Sequence, residues 1–271
     1  MSLRMLLKDT AYKALTSLKG DAEGFVRLPV LRGPAKGLQF EFDLVRRHEG
    51  AYFMGKYDPE LLQTLRSVVR PGWTIWDVGT YLGFYSVFFN QLVGPTGKVA
   101  CIEPDPRKLE RTRRNLQLNG FQLCHQLPVA VGAPLGEVEF LLSDESNSHL
   151  PGTYVGERHL KQVWQEGDAR KTSIRIPCIS LDQAYFERHL PAPNLVKLDI
   201  EGAELHALKH GDRLFREIRP LLLLELHNPD CDREAWEFSR RLGYVLQRAD
   251  DGQVLRREEE VRGTLLCLPQ Q

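Results

Sequence analysis

A chain of 271 residues, 42% apolar and 27% charged, can bury a full core, and 36 Lys plus Arg against 36 Asp plus Glu leave no net charge calling for nucleic acid or a membrane surface as partner. Five cysteines (Cys101, Cys124, Cys178, Cys231, Cys267), odd in number, far apart and without a C-x-x-C pair, argue against a disulfide framework and a zinc site and predict reduced, mostly buried thiols. No stretch approaches the roughly 18 apolar residues of a membrane span, the longest strongly apolar run being residues 221–224, so a cytoplasmic protein without a transmembrane segment is expected.

At the N-terminus, Leu3, Leu6, Leu7, Ala14, Leu15 and Leu18 fall near helical spacing, while Lys8 and Asp9 interrupt what would be the apolar core of a signal peptide. The spacing predicts an amphipathic helix. Its basic residues Arg4, Lys8, Lys13 and Lys19 are few, which favours packing on the domain or on a second subunit of a homo-oligomer over membrane contact. Residues 1–56 are read as an N-terminal extension of helix plus strands, and residues 57–271 as one catalytic domain. Asp58 and Pro59 supply an N-cap and a first-turn proline for a helix carrying Leu61, Leu62, Leu65, Val68 and Val69, closed by Pro71-Gly72.

The apolar run 73–76 leads into Asp77-Val78-Gly79-Thr80-Tyr81-Leu82-Gly83 and then into Phe84-Tyr85-Ser86-Val87-Phe88-Phe89, a strand turning on glycine into a helix. Glycine lets backbone approach a ligand closely, and an acidic strand end accepts bonds from a cationic or hydroxyl-bearing partner. The glycines are spaced G-x-x-x-G with Asp77 two residues ahead, not G-x-G-x-x-G, which points to S-adenosylmethionine rather than a dinucleotide. The next buried strand, 98–103, ends in Glu103, placed to accept the ribose hydroxyls of an adenosine, and is followed by Pro104. Asp105-Pro106 opens a second helix whose Arg107, Lys108, Arg111, Arg113 and Arg114 are read as a solvated face.

A third strand is expected through residues 126–131, then a turn and a short alternating stretch at 137–140. Between 143 and 173 the periodicity dissolves, with His149, Tyr154, His159 and Trp164 scattered through it; a segment of this length is a candidate acceptor-recognising lid, or an ordinary surface insertion. Residues 195–200 read as a buried strand ending at Asp199 and Glu201, followed by a helix over 202–210 stopped by Gly211. The following strand, 220–226, ends Glu225-Leu226-His227, and residues 263–268 form a final antiparallel strand. Ligands in open α/β sheets bind outside the carboxyl ends of the strands, so Asp199, Glu201, Glu225 and His227 are expected to converge there.

In order and spacing, Tyr57-Asp58-Pro59-Glu60, residues 77–86, Glu103-Pro104, Val129-Ala130-Val131-Gly132, Ile179-Ser180-Leu181-Asp182 and residues 197–204 give the chain, over most of its length, a sequence that resembles the FkbM family of S-adenosylmethionine-dependent methyltransferases. Thr80-Tyr81 stand where that family usually carries Ala-Asn, which leaves the Tyr81 ring or hydroxyl as a substitute for the asparagine. The resemblance implies an α/β, class I (Rossmann-like) methyltransferase fold, a mainly parallel seven-stranded sheet with helices on both faces. Motif and resemblance together nominate Tyr57, Asp77, Gly79, Thr80, Tyr81, Gly83, Glu103, Pro104, Val129, Ala130 and Asp199 as cofactor-binding, with Val129 and Ala130 bordering the adenine. O-methylation of a sugar, glycan or other small molecule needs a base, and His227 is the expected one because its ordinary pKa suits neutral pH, with Asp199 or Glu201 as alternatives. Glu204 is read as a capping or supporting residue. Metal-free catalysis is preferred over a divalent cation held by Asp199, Glu225 and His227. Competing classes are a nicotinamide-dependent oxidoreductase, which the missing G-x-G-x-x-G argues against, and a cofactor-binding module without turnover.

Overall fold

In a computed structural model of the protein, the described residues are 20–21, 24–44, 46–122, 125–142, 154–155, 158–159 and 172–270. The expected N-terminal helix, Cys124 and most of segment 143–173, with His149 and Trp164, lie outside them.

The chain runs β1 (Val26–Pro29), β2 (Gln39–Phe42), α1 (Arg47–Phe53), α2 (Pro59–Val68), β3 (Thr74–Val78), α3 (Phe84–Val93), β4 (Lys98–Ile102), α4 (Pro106–Leu118), β5 (Gln126–Leu127), β6 (Ala130–Val131) and β7 (Gly136–Leu142). It continues through β8 (Tyr154–Val155), β9 (Arg158–His159), β10 (Thr172–Ile179), α5 (Leu181–Phe186), β11 (Leu195–Leu198), α6 (Glu204–Lys209), α7 (Asp212–Glu217), β12 (Leu221–Glu225), α8 (Pro229–Leu242), β13 (Tyr244–Arg248) and β14 (Thr264–Pro269). The central sheet has seven strands in the order β13-β14-β12-β11-β3-β4-β5. Its pairings are parallel except those of β14, which runs against both β12 and β13. The fold class and the antiparallel last strand are as expected.

Strands buried on both faces read as continuous apolar runs because a parallel sheet must be covered on each side. Here alternate residues feed two cores. Trp76, Val78, Val196, Leu198, Leu222 and Leu224 face one, with α8 supplying Ala235 and Phe238. Ile75, Val99, Cys101, Leu195 and Leu223 face the other, shared with Phe40 and Phe42 of β2 and with Leu61, Leu65 and Val87 from α2 and α3. Cys101, Cys178, Cys231 and Cys267 are buried free thiols, as predicted. From β3 the chain steps outward through β4 to β5, and later returns to β3's other side with β11 and β12, so the switch point lies where β3 and β11 pair, Val78 opposite Leu198.

Three local expectations need correction. Residues 126–131 do not form one strand: β5 ends the central sheet, whereas β6 pairs in parallel with β10 in a separate sheet ordered β6-β10-β7. Pro128 lies between them and cannot donate to a ladder, so the pairing breaks there. Asp58 does precede α2, but in a left-handed conformation (φ 43°) with no capping bond; its Oδ2 instead accepts from the Tyr85 hydroxyl at 2.9 Å. Asp105, by contrast, caps α4 by accepting from the Arg107 N–H at 3.0 Å. The basic run of α4 is only partly solvated. Arg113 pairs with Glu110 at the surface, whereas Arg111 is buried and clamps the fully buried Glu49, its Nη1 donating to Glu49 Oε1 at 2.9 Å.

Removing one member of a buried ion pair strands the other charge. Arg111→Met is therefore expected to lower the unfolding free energy by about 3–5 kcal/mol, with Arg111→Met/Glu49→Leu recovering most of it. Urea denaturation of both variants checks this, and an unmoved midpoint in the single variant would contradict it.

Candidate active site

At the carboxyl ends of β3, β4, β11 and β12 a cavity of about 260 Å³ is lined by Tyr57, Gly79, Tyr81, Glu103, Pro104, Val129, Ala130, Asp199, Glu201, Glu225 and His227, with Tyr52, Val78, Ile102, Lys108, Val131, Phe140, Ile200 and Ala203 completing the wall. Three nominated residues are not in that lining. Asp77 is fully buried beneath it: Ser86 Oγ donates to its Oδ2 at 2.5 Å, Lys197 Nζ lies 3.6 Å from its Oδ1, and Oδ1 accepts no hydrogen bond among the described residues. Burial raises the Asp77 pKa despite the opposing pull of Lys197 and Ser86. Thr80 turns its hydroxyl to Thr112 at 3.3 Å, and Gly83 begins α3 against that same threonine, which a Cβ at position 83 would meet at 2.7 Å. These three shape the loop from behind.

Gly79 does what a glycine turn requires. Its φ is +84°, and a Cβ there would stand 1.8 Å from the Asp199 carbonyl oxygen, so the loop after β3 and the end of β11 are packed backbone to backbone. Glu103 is held by two main-chain donors, the Tyr81 N–H to Oε2 and the Asp105 N–H to Oε1, both at 3.0 Å. Burial raises its pKa, opposed by Lys108 and those two N–H groups. Tyr52 and Tyr57 line the same cavity, their rings tilted by 42° with centroids 4.0 Å apart.

The polar end is a chain of charges. Lys197 Nζ donates to Asp199 Oδ2 at 2.9 Å; Asp199 Oδ1 lies 3.6 Å from His227 Nε2; His227 Nδ1 lies 2.9 Å from Glu204 Oε1. Glu204 is fully buried and also accepts the N–H groups of Ile200 (2.9 Å) and Gly202 (3.1 Å to Oε2), so the expected capping residue also anchors the histidine. Glu201 Oε2 and Glu225 Oε1 each stand 3.9 Å from His227 Nε2.

This surrounding overturns the expectation of an ordinary histidine pKa. Burial disfavours the imidazolium, but the Glu204 hydrogen bond and the Asp199 and Glu201 carboxylates outweigh it and push the pKa up to about 10. At neutral pH His227 is charged. Glu201 and Glu225 are the groups poised near neutrality. Burial raises Glu201 to about 7, opposed by His227 and reinforced by Asp199, and burial with Asp199 raises Glu225 to about 7 against Lys197 and His227. Glu201 also holds φ +54°, a left-handed backbone that costs energy for a residue with a Cβ. Asp199, Glu201 and His227 offer ligand atoms within 4.8 Å of one another, close enough for a cation, although an imidazolium has no lone pair to give one.

Lys197, Lys108, Tyr52 and the Glu204–His227 bond are site features that the sequence reading did not assign. For Lys197 a signal existed, a lone charge inside the buried strand Leu195-Val196-Lys197-Leu198.

The family model described as "Methyltransferase FkbM domain" matches residues 77–251. Among curated proteins, the hexuronic acid methyltransferase AglP of Haloferax volcanii is 26% identical over 153 residues, which are 56% of this chain and 55% of that protein, so the match spans about half the length of this relative. Similar solved structures include an FkbM methyltransferase from Methylobacillus flagellatus (14% identity, TM-score 0.40, 97% of this chain and 60% of that one) and a TehB-like S-adenosylmethionine-dependent methyltransferase from Corynebacterium glutamicum (9%, TM-score 0.46, 84% and 96%).

Proposed function

The chain belongs to the FkbM methyltransferase family, and from that premise we propose that it uses S-adenosylmethionine to O-methylate a hydroxyl of a sugar, glycan or other small natural product. The observation that carries the reading is the meeting, in one cavity at the switch point, of Glu103 held by two N–H donors, the Gly79 loop, and Asp199 with His227, which the buried Glu204 backs from behind. These residues fit the cofactor. Ile102, Val129 and Ala130 offer an apolar slot for an adenine, Glu103 retains acceptor capacity for ribose hydroxyls, and the carboxylates suit a sulfonium cation. When bound, S-adenosylmethionine supplies an activated methyl group with its own leaving group.

The protein's task is then to orient an acceptor and take its proton. His227, charged at neutral pH, holds Asp199, Glu201 and Glu225 around one point, and Glu201 accepts the proton. No step is assigned to a metal, and turnover is expected to persist in a chelator.

The test is an acceptor screen with sugars, uronic acids, lipid-linked glycans and polyketide-like alcohols, reading release of S-adenosylhomocysteine. The hexuronic acid named for AglP supports including uronic acids. No release from any acceptor, with S-adenosylmethionine bound, would leave only a binding module. Glu103→Ala is expected to weaken S-adenosylmethionine by roughly 1.5–3 kcal/mol, the range for a hydrogen bond to a charged group. Calorimetry checks this, and NAD binding tightly where S-adenosylmethionine does not would overturn the cofactor assignment.

A further inference from the structure

We propose that Lys197 is a positioning residue that sets Asp199 for the reaction and ties the cofactor loop to the proton-handling end of the cavity. The inference rests on the methyltransferase reading above. Lys197 is 4% exposed, on the strand that pairs with β3 at the switch point, where Lys197 stands opposite Asp77. A lysine is seldom buried unless paired, because its ammonium loses hydration that only nearby negative charge replaces. This one reaches three groups on two strand ends. Its Nζ lies 2.9 Å from Asp199 Oδ2, 3.6 Å from Asp77 Oδ1 and 3.5 Å from the Gly79 carbonyl oxygen. The Tyr85 ring closes one side, its centroid 4.9 Å away, while Glu225, Asp58 and Tyr57 complete the charged and titratable groups around it.

Burial opposes the charge on Lys197, but Asp199 and Asp77 outweigh it and raise its pKa, so the group is an ammonium at neutral pH. A cation that occupies Asp199 Oδ2 leaves Oδ1 as the oxygen that faces His227 Nε2. With His227 turned by Glu204 on its other nitrogen, the rotation of both side chains is defined from the two ends of one chain. Asp77 neutralises the remainder of the lysine's charge, which accounts for a buried aspartate that never reaches the cavity.

Lys197→Met would strand two carboxylates, so the informative variant is Lys197→Met/Asp77→Asn, in which the asparagine oxygen still accepts from Ser86. The expected results for the double variant are a native-like thermal transition and S-adenosylmethionine affinity within about fivefold of wild type. Its kcat should fall on the order of 10²-fold, the usual consequence of misplacing a reacting group by about an ångström. The second readout is a crystal structure of the double variant, in which Asp199, without its 2.9 Å ammonium partner, is expected to turn its carboxylate away from His227 Nε2. A folded double variant with wild-type kcat and Asp199 unmoved against His227 would overturn the inference and leave Lys197 as the counter-ion of Asp77 alone. If wild-type protein turns over no acceptor, the methyltransferase reading fails, while the placement of Asp199 in that structure still decides the role of Lys197.

Discussion

Glu201→Gln is expected to reduce kcat by about 10²–10⁴-fold, the usual contribution of a positioned general base, with S-adenosylmethionine affinity unchanged. Glutamine keeps the shape and a polar oxygen beside His227, but it cannot take a proton. The pH dependence separates this from other assignments. Glu201 must be ionised to act, so wild-type activity should rise as pH passes about 7; His227 must stay protonated to hold the carboxylates, so activity should fall again as pH passes about 10. The ascending limb should vanish in Glu201→Gln. In His227→Gln the descending limb should vanish, and the ascending limb should move above 7 because a neighbouring cation has been lost. An acidic limb that survives in Glu201→Gln at near-normal rate would transfer the role to Glu225. A wild-type rate that climbs without a plateau towards pH 10 would restore His227 as the base. An acceptor carboxylate, already ionised, would show neither limb.

Gly79→Ala is expected to be severely destabilising. The added Cβ would sit 1.8 Å from the Asp199 carbonyl, and neither that oxygen nor the loop can yield without parting the ends of β3 and β11. The expected cost is about 4 kcal/mol or more of stability, in the range reserved for backbone clashes and broken networks, with S-adenosylmethionine binding lost in whatever folds. Gly243→Ala is the control. Gly243 is left-handed (φ +65°, ψ +56°), but a Cβ there meets only side-chain ends at 3.9 Å or beyond, so the expected cost is the conformational penalty alone, about 1–2 kcal/mol. Guanidinium melts of both variants decide it; equal costs would mean that φ, not the contact with Asp199, is what glycine serves at position 79.

The parallel strands are legible because burial on both faces leaves apolar runs, and the glycine loop after β3 and the acid after β4 both fall at the cavity. What escaped the sequence depends on groups far apart in the chain. Nothing near Arg111 says that Glu49, on a helix 62 residues earlier, will cover it, so a run of arginines on α4 looked solvated. Nothing near His227 says that Glu204 will seize its Nδ1 and, against burial, help raise its pKa. Asp77 was identified correctly as acidic and at the strand end, yet strand alternation turns it away from the cavity that Val78 lines. The break at Pro128 is written in the sequence, since a residue without an N–H cannot continue a ladder.

That proline has a consequence for the molecule's behaviour at high concentration. A sheet of this size has two rims, each with unpaired peptide groups on which another chain could lengthen it. On the β5 side, the ladder stops after Gln126 and Leu127, because Pro128 has no N–H and Val129 leads the backbone off to pair elsewhere. On the β13 side, the turn that follows folds back so that Val254 bridges Gln247 and the Leu255 N–H donates to the Leu246 carbonyl. One rim is cut short and the other is partly capped, so a protein whose net charge is zero at neutral pH, and which therefore lacks long-range repulsion between copies, is defended against strand-to-strand aggregation by its backbone instead.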